Sequence, residues 1–154
     1  MLFRKPKKSD ISYLIKLSKK FKQEYDWTDV VPIANIDSKE KAKKRLFADN
    51  IKHIVIAEEN DKMVGYLAVK RYEVDGELGH EASIIIHTDY RNQGLAKKMT
   101  EKLFQEIPPD IEVEAWVLKD NIPSIKTVKS LGFEFDRNFA GDKRVQIYTK
   151  GGEK

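Results

Sequence analysis

The sequence contains no cysteine. Disulfides, thiolate-held metals, thioredoxin-like exchange and a cysteine nucleophile are excluded, although the absence assigns no compartment. Long hydrophobic runs are missing too: no apolar stretch approaches the roughly 20 residues of a membrane span. Met1 to Lys8 is too basic and too poor in apolar residues for a signal peptide. The expected location is therefore the cytoplasm, with no membrane partner. Histidine is scarce, and His53, His80 and His87 are dispersed without repeated spacing, so no metal site is expected. Arginine is scarce as well: Arg4, Arg45, Arg71, Arg91, Arg137 and Arg144 stand among 29 basic residues, the rest being lysine. The net charge of +4 suits an anionic partner, but 25 acidic residues interleave with the basic ones and leave no dedicated nucleic-acid stripe.

The 5 prolines and 8 glycines form no linker, and there is no internal repeat. Residues 1–150 are expected to make one domain, long enough for a core without staples, with 151–154 a short polar tail. Leu2 to Lys5 reads as a short strand, and Ser9 as the cap of a helix with Ile11, Leu14, Ile15, Ser18, Phe21 and Tyr25 on its apolar face. After a loop over Trp27 to Ile36, Asp37 with Glu40 suggests a capping box for a second helix to about Ala48. The period then changes. His53 to Ala57, Met63 to Tyr72 and a third run ending near Thr88 form an antiparallel meander, its second turn marked by Asp75-Gly76. Leu95, Met99, Leu103 and Ile107 repeat every four residues until Pro108-Pro109 stops that helix. Glu112 to Leu118 is a strand, and Asn121 to Leu131 a helix closed by Gly132. Phe133 to Phe139 with Val145 to Thr149 makes a last hairpin. The order β-α-α-β-β-β-α-β-α-β-β predicts an α/β (α+β) fold: a mixed, mostly antiparallel sheet of about seven strands with helices on both faces.

The stretch Arg91 to Lys97 carries the first chemical signal. A helix beginning at about Asn92 leaves its first N–H groups without intrahelical partners and concentrates an effective charge of roughly +0.5 there. Gly94 removes a Cβ from the approach, Ala96 is small, and Arg91 adds positive charge, so main-chain donors can cradle a diphosphate. An ordinary basic helix start with one glycine explains the same residues equally well. The Gly-Lys-Ser/Thr ending of a Walker loop and the repeated glycines of a dinucleotide fingerprint are both missing.

Arg91-Asn92-Gln93-Gly94-Leu95-Ala96 resembles the Q/R-x-x-G-x-G/A signature of the GNAT superfamily of acyl-CoA-dependent N-acetyltransferases. Asn121-Ile122-Pro123-Ser124 followed by Leu131-Gly132-Phe133 resembles the later family segment, and the element order agrees from Leu2 to Lys150. The resemblance implies acetyl-CoA as cofactor, its pantetheine lying between splayed fourth and fifth strands. Ile85, Ile86, His87, Arg91, Asn92, Gln93, Gly94, Leu95, Ala96, Lys97, Asn121 and Ser124 are then its expected contacts. Glu81 matches a position where family members carry a carboxylate that takes the amine proton through water; a wet strand face or a substrate-cation contact is the competing reading, and His80 is a weaker candidate. Where many members place a tyrosine that protonates the departing thiolate, this chain has Val128. Ser124, Thr127 and Tyr148 are the possible substitutes, and Ser124 is taken as the second catalytic candidate.

For the acceptor, Trp27 and Asp29 with Tyr25 and Asp26 form an aromatic, acidic set suited to an ammonium, and Trp116 offers another wall; a capping lid or plain core is the alternative. The resemblance implies a small amine or a protein amino group as acceptor, and paired domains make a homodimer an available assembly. Two other readings stay open: a degenerate acyl-CoA sensor or scaffold, and a basic nucleic-acid binder.

Overall fold

Strands rich in β-branched residues build a sheet buried on both sides. The computed structural model describes residues 1–24, 35–74 and 76–152. Its elements are β1 (Leu2–Arg4), α1 (Asp10–Glu24), α2 (Lys39–Phe47), β2 (Ile51–Glu59), β3 (Lys62–Val74), β4 (Glu77–Ile86), a 3-10 turn (Thr88–Tyr90), α3 (Leu95–Glu106), β5 (Glu112–Leu118), α4 (Ile122–Ser130), β6 (Glu134–Asn138) and β7 (Val145–Gly151). Seven strands form one sheet in the order β1-β2-β3-β4-β5-β7-β6. All neighbours are antiparallel except β4 and β5, which run parallel. This is the α/β (α+β) architecture and element order expected from the periodicity. The turn residue Asp75 lies outside the described residues.

Side chains of a strand alternate between faces, so consecutive apolar residues serve two cores. In β2, Val55 and Ala57 join Leu95, Met99 and Leu103 of α3, whereas Ile54 and Ile56 join Leu14 and Leu17 of α1 and Ala42 and Leu46 of α2. The four-residue repeat of α3 thus buries one stripe against the sheet. Ile125 and Val128 of α4 pack partly buried against the same core.

Element ends differ from the sequence expectations where a polar side chain finds a better partner. The cap of α2 is Ser38, whose hydroxyl accepts from the Lys41 N–H at 3.2 Å. Asp37 instead pairs with Lys41 across one turn. At α1, Asp10 rather than Ser9 organises the start: its carboxylate accepts from the Lys7 N–H at 2.8 Å and from both terminal nitrogens of Arg4 at 2.8 Å. Arg4 Nε also donates to Glu58 at 2.8 Å. Asp10 is fully buried, so Asp10→Ala is expected to cost about 3 kcal/mol of unfolding free energy in urea titrations, because Arg4 loses its principal counter-charge in a poorly solvated site.

Candidate active site

The helix start at α3 lies three residues later than expected, and the reason is backbone geometry. Thr88–Tyr90 closes a 3-10 turn, after which Asn92 (φ 59°) and Gly94 (φ 77°) both adopt left-handed conformations. Helical dihedrals therefore begin only at Leu95. Gly94 caps the helix with no side-chain bond, and the first internal bond runs from the Lys98 N–H to the Gly94 carbonyl at 3.1 Å. By helix geometry the N–H groups of Leu95, Ala96 and Lys97 have no earlier carbonyl of the helix to reach. A Cβ built on Gly94 would meet nothing within 4 Å, so the donors open onto clear space. These features fit a diphosphate: unsatisfied main-chain donors, the positive helix end and room for a bulky anion.

Around this turn the side chains brace the loop. Arg91 Nε donates to the Ile86 carbonyl at 2.9 Å, and its guanidinium pairs with Glu24 at the end of α1. Thr88 donates its hydroxyl to the same carboxylate. Burial opposes ionisation of Glu24, but these two hydrogen bonds hold its carboxyl below the ordinary range. Gln93 Nε2 donates to the Asp89 carbonyl at 2.8 Å. His87 Nδ1 accepts from the Asp89 N–H at 3.1 Å. Leu95 is buried in the core and offers only its backbone, while Asn92, Gln93 and Lys97 are exposed.

Beside the cradle the sheet comes apart. A single register pair, Glu81 with Glu114, joins β4 to β5. The His87 N–H donates to the Val64 carbonyl at 2.8 Å. Antiparallel alternation then turns the main-chain groups of Ile84 and Ile86 away from β3, toward the β5 side beyond the point where that ladder ends. Ile84 was not among the residues expected from sequence. Ile85, which was, directs its backbone to β3 and its side chain, 2% exposed, into the core beneath α1 and α2.

At the fork stands Glu81, half-buried and with no hydrogen bond or ion pair among the described residues. Burial pushes its carboxyl up from the ordinary value; Arg45 and Lys70 pull the other way, and Glu114 adds to the rise. Its register partner Glu114 is buried and fully engaged, accepting from the Tyr72 hydroxyl and from Trp116 Nε1. Trp116 stacks edgewise on Tyr72 (centroids 5.7 Å) and tilts against Phe139 at 4.6 Å. Sequence reading missed Glu114 and Tyr72. The available signal was a lone acid between Val113 and Ala115 in a central strand, where an acid needs a partner. His80 lies on the opposite face of β4 from Glu81, since successive strand residues alternate. Trp27 and Asp29, with Tyr25 and Asp26, lie outside the described residues.

At α4, the Asn121 side chain accepts from the Ser124 N–H at 3.3 Å and caps the helix. Thr127 donates its hydroxyl to the Pro123 carbonyl at 3.0 Å, and the buried Tyr148 donates to Gln146 at 3.2 Å. Among the described residues no bond engages the Ser124 hydroxyl. The described residues include no group of three or more His, Asp or Glu able to hold a metal. No helix among them is long and apolar enough to cross a membrane.

The sheet is thus forked between its parallel fourth and fifth strands, with an anion-ready helix start following the fourth. The chain belongs to the acetyltransferase (GNAT) family, whose model matches residues 16–133. No curated protein matches significantly by sequence. Among solved structures, the chain is similar to a ribosomal-protein-alanine N-acetyltransferase from Brucella melitensis (TM-score 0.76, 18% identity, covering 98% of this chain and 99% of that one). It is also similar to YncA from Salmonella typhimurium, solved with its cofactor acetyl-CoA (0.71, 20%, 100% and 95%). A third is the PaiA N-acetyltransferase from Thermoplasma acidophilum, solved in complex with coenzyme A (0.71, 18%, 97% and 98%). At these identities the likeness is one of fold.

Proposed function

We propose that the protein is an N-acetyltransferase that moves an acetyl group from acetyl-CoA to a primary amine by direct attack within a ternary complex. The observation that carries this reading is that one strand, β4, leads from the Glu81 carboxyl, which has no hydrogen bond or ion pair among the described residues, along the β4–β5 fork to the α3 donors. Acetyl-CoA supplies an activated acyl thioester. The N–H groups of Leu95, Ala96 and Lys97 hold the diphosphate, while the main-chain groups of Ile84 and Ile86 line the fork along which the pantetheine lies.

An aliphatic amine is mostly protonated at neutral pH and cannot attack until its proton leaves. Glu81 takes that proton, directly or through one water. Its burial raises the carboxyl toward the operating pH, where a base exchanges protons efficiently. On the leaving side, Val128 has no proton to give. Thr127 and Tyr148 direct their hydroxyls to other groups of the chain, which leaves Ser124 in the first turn of α4 as the one of the three hydroxyls uncommitted among the described residues, and the acid role is assigned to it on that ground.

The test is free-thiol release from acetyl-CoA across a panel of small amines, amino acids and peptides with free N-termini or lysines. Release that depends on the amine is expected. Val128 favours a second reading, an acyl-CoA sensor. Saturable binding of acetyl-CoA without thiol release for any amine would support that reading and sink the enzyme.

A further inference from the structure

On the α1–α2 face of the sheet two glutamates stand in register with opposite surroundings. Glu114 is buried, 5% exposed, and its two oxygens accept from the Tyr72 hydroxyl at 2.7 and 2.9 Å. Its Oε1 also accepts from Trp116 Nε1 at 2.9 Å, and the Arg137 guanidinium stands 3.7 Å away. These partners come from β3, β5 and β6. Gly79 makes the longest reach possible: a Cβ there would strike the Tyr72 hydroxyl and ring, so the ring can cross β4 only above a glycine. Packing alone does not call for such a group, because an apolar side chain of similar size fills a core position without the desolvation cost of a buried charge.

Glu114 is also the one residue of β5 in register with Glu81. Strand alternation puts both carboxyls on the α1–α2 face, since Val113, Ala115, Ala82 and Ile84 all face α3. Neighbouring carboxylates oppose each other's ionisation. Among the described residues, the charged groups facing Glu81 are Arg45 of α2 and Lys70 of β3, which favour its anion, and Glu114 of β5, which opposes it; Tyr66 and Tyr72 of β3 are neutral neighbours.

We propose that Glu114 is the positioning residue for Glu81: its carboxylate, held in register by Tyr72 and Trp116 and moderated by Arg137, acts on the neighbouring carboxyl and adds to the effect of burial in setting the pH at which that carboxyl becomes a base. The catalytic consequence rests on the assignment of Glu81 as base; the coupling between the two carboxyls does not.

The test is a pH titration of side-chain carboxyl carbons by NMR on the full chain labelled at glutamate, with the Glu81 signal identified by its loss in Glu81→Gln. Glu114→Gln keeps the shape and removes the charge, and the Glu81 midpoint is expected to move to lower pH. Arg137→Gln leaves Glu114 without its counter-charge, and the midpoint is expected to move to higher pH. A merely loosened site would move both variants the same way, and that result, or an unmoved midpoint in a folded Glu114→Gln protein, overturns the proposal. If Glu114→Gln fails to fold, Arg137→Gln alone decides, because Arg137 is solvent-facing: an upward shift supports the coupling and no shift overturns it. Opposed shifts in the two variants, together with full thiol release by Glu81→Gln, would refute the base assignment while leaving the coupling intact.

Discussion

Replacing Gly94 by glutamate is expected to abolish binding of coenzyme A while leaving the fold intact. The position is exposed, and a Cβ there meets no atom of the protein, so the side chain has room. That room is the space the diphosphate needs. A carboxylate about 5 Å from a phosphate charge, at an effective dielectric near 20, is repelled by roughly 3 kcal/mol. A loss of roughly a hundredfold or more in affinity follows. The left-handed φ of 77° adds about 1 kcal/mol of strain for any residue with a Cβ, which is present in the free and the bound protein alike and so lowers stability instead of affinity. Gly94→Ala separates the two effects, because it carries the strain without the charge and is expected to melt earlier with its affinity kept. Calorimetric titration with coenzyme A and a melting curve for each variant check both points. Undiminished affinity in Gly94→Glu would move the phosphate site elsewhere.

The second large effect is expected at Glu81. Glu81→Gln should lower kcat/KM for amine-dependent thiol release by roughly 10²-fold to 10⁴-fold, the usual contribution of a positioned proton acceptor. The same variant should be more stable than the parent at neutral pH. The sign follows from linkage: the carboxyl is raised in the folded chain, so the folded state binds more protons than the unfolded one between the two values. Stability is therefore undiminished below the ordinary glutamate value and falls as pH rises through the folded value, a penalty that glutamine does not carry. Activity should run the other way and decline as pH falls through the raised folded value. A pH–rate profile and chemical denaturation at two pH values read both trends; a glutamine variant that is less stable and fully active would contradict the assignment on both counts.

Much of the backbone geometry around the candidate site was legible because it is local. Gly94 follows a strand run and precedes a four-residue apolar repeat, and those neighbours are enough to place a helix start beside a strand end. Asn121 as the cap of α4 is equally local, a side chain closing on an N–H three residues away. The register of the third helix was less accessible, since two left-handed positions, Asn92 and Gly94 on either side of Gln93, are a backbone choice that composition only weakly signals. The expected role of Arg91 as a charge at the mouth shows the same limit: its guanidinium pairs with Glu24, a residue 67 positions away in the chain.

The sequence by itself determined the alternation of strands and helices, the two-sided sheet and the donor-bearing turn before α3, because periodicity and turn chemistry act between neighbours along the chain. Only the tertiary structure decided that Glu81 meets Glu114, that Tyr72 reaches over Gly79 to hold it, and that the ladder between β4 and β5 ends after one pair. Those facts depend on which strands lie side by side and in what register, and a charged residue in a strand carries no mark of the partner that burial will bring to it.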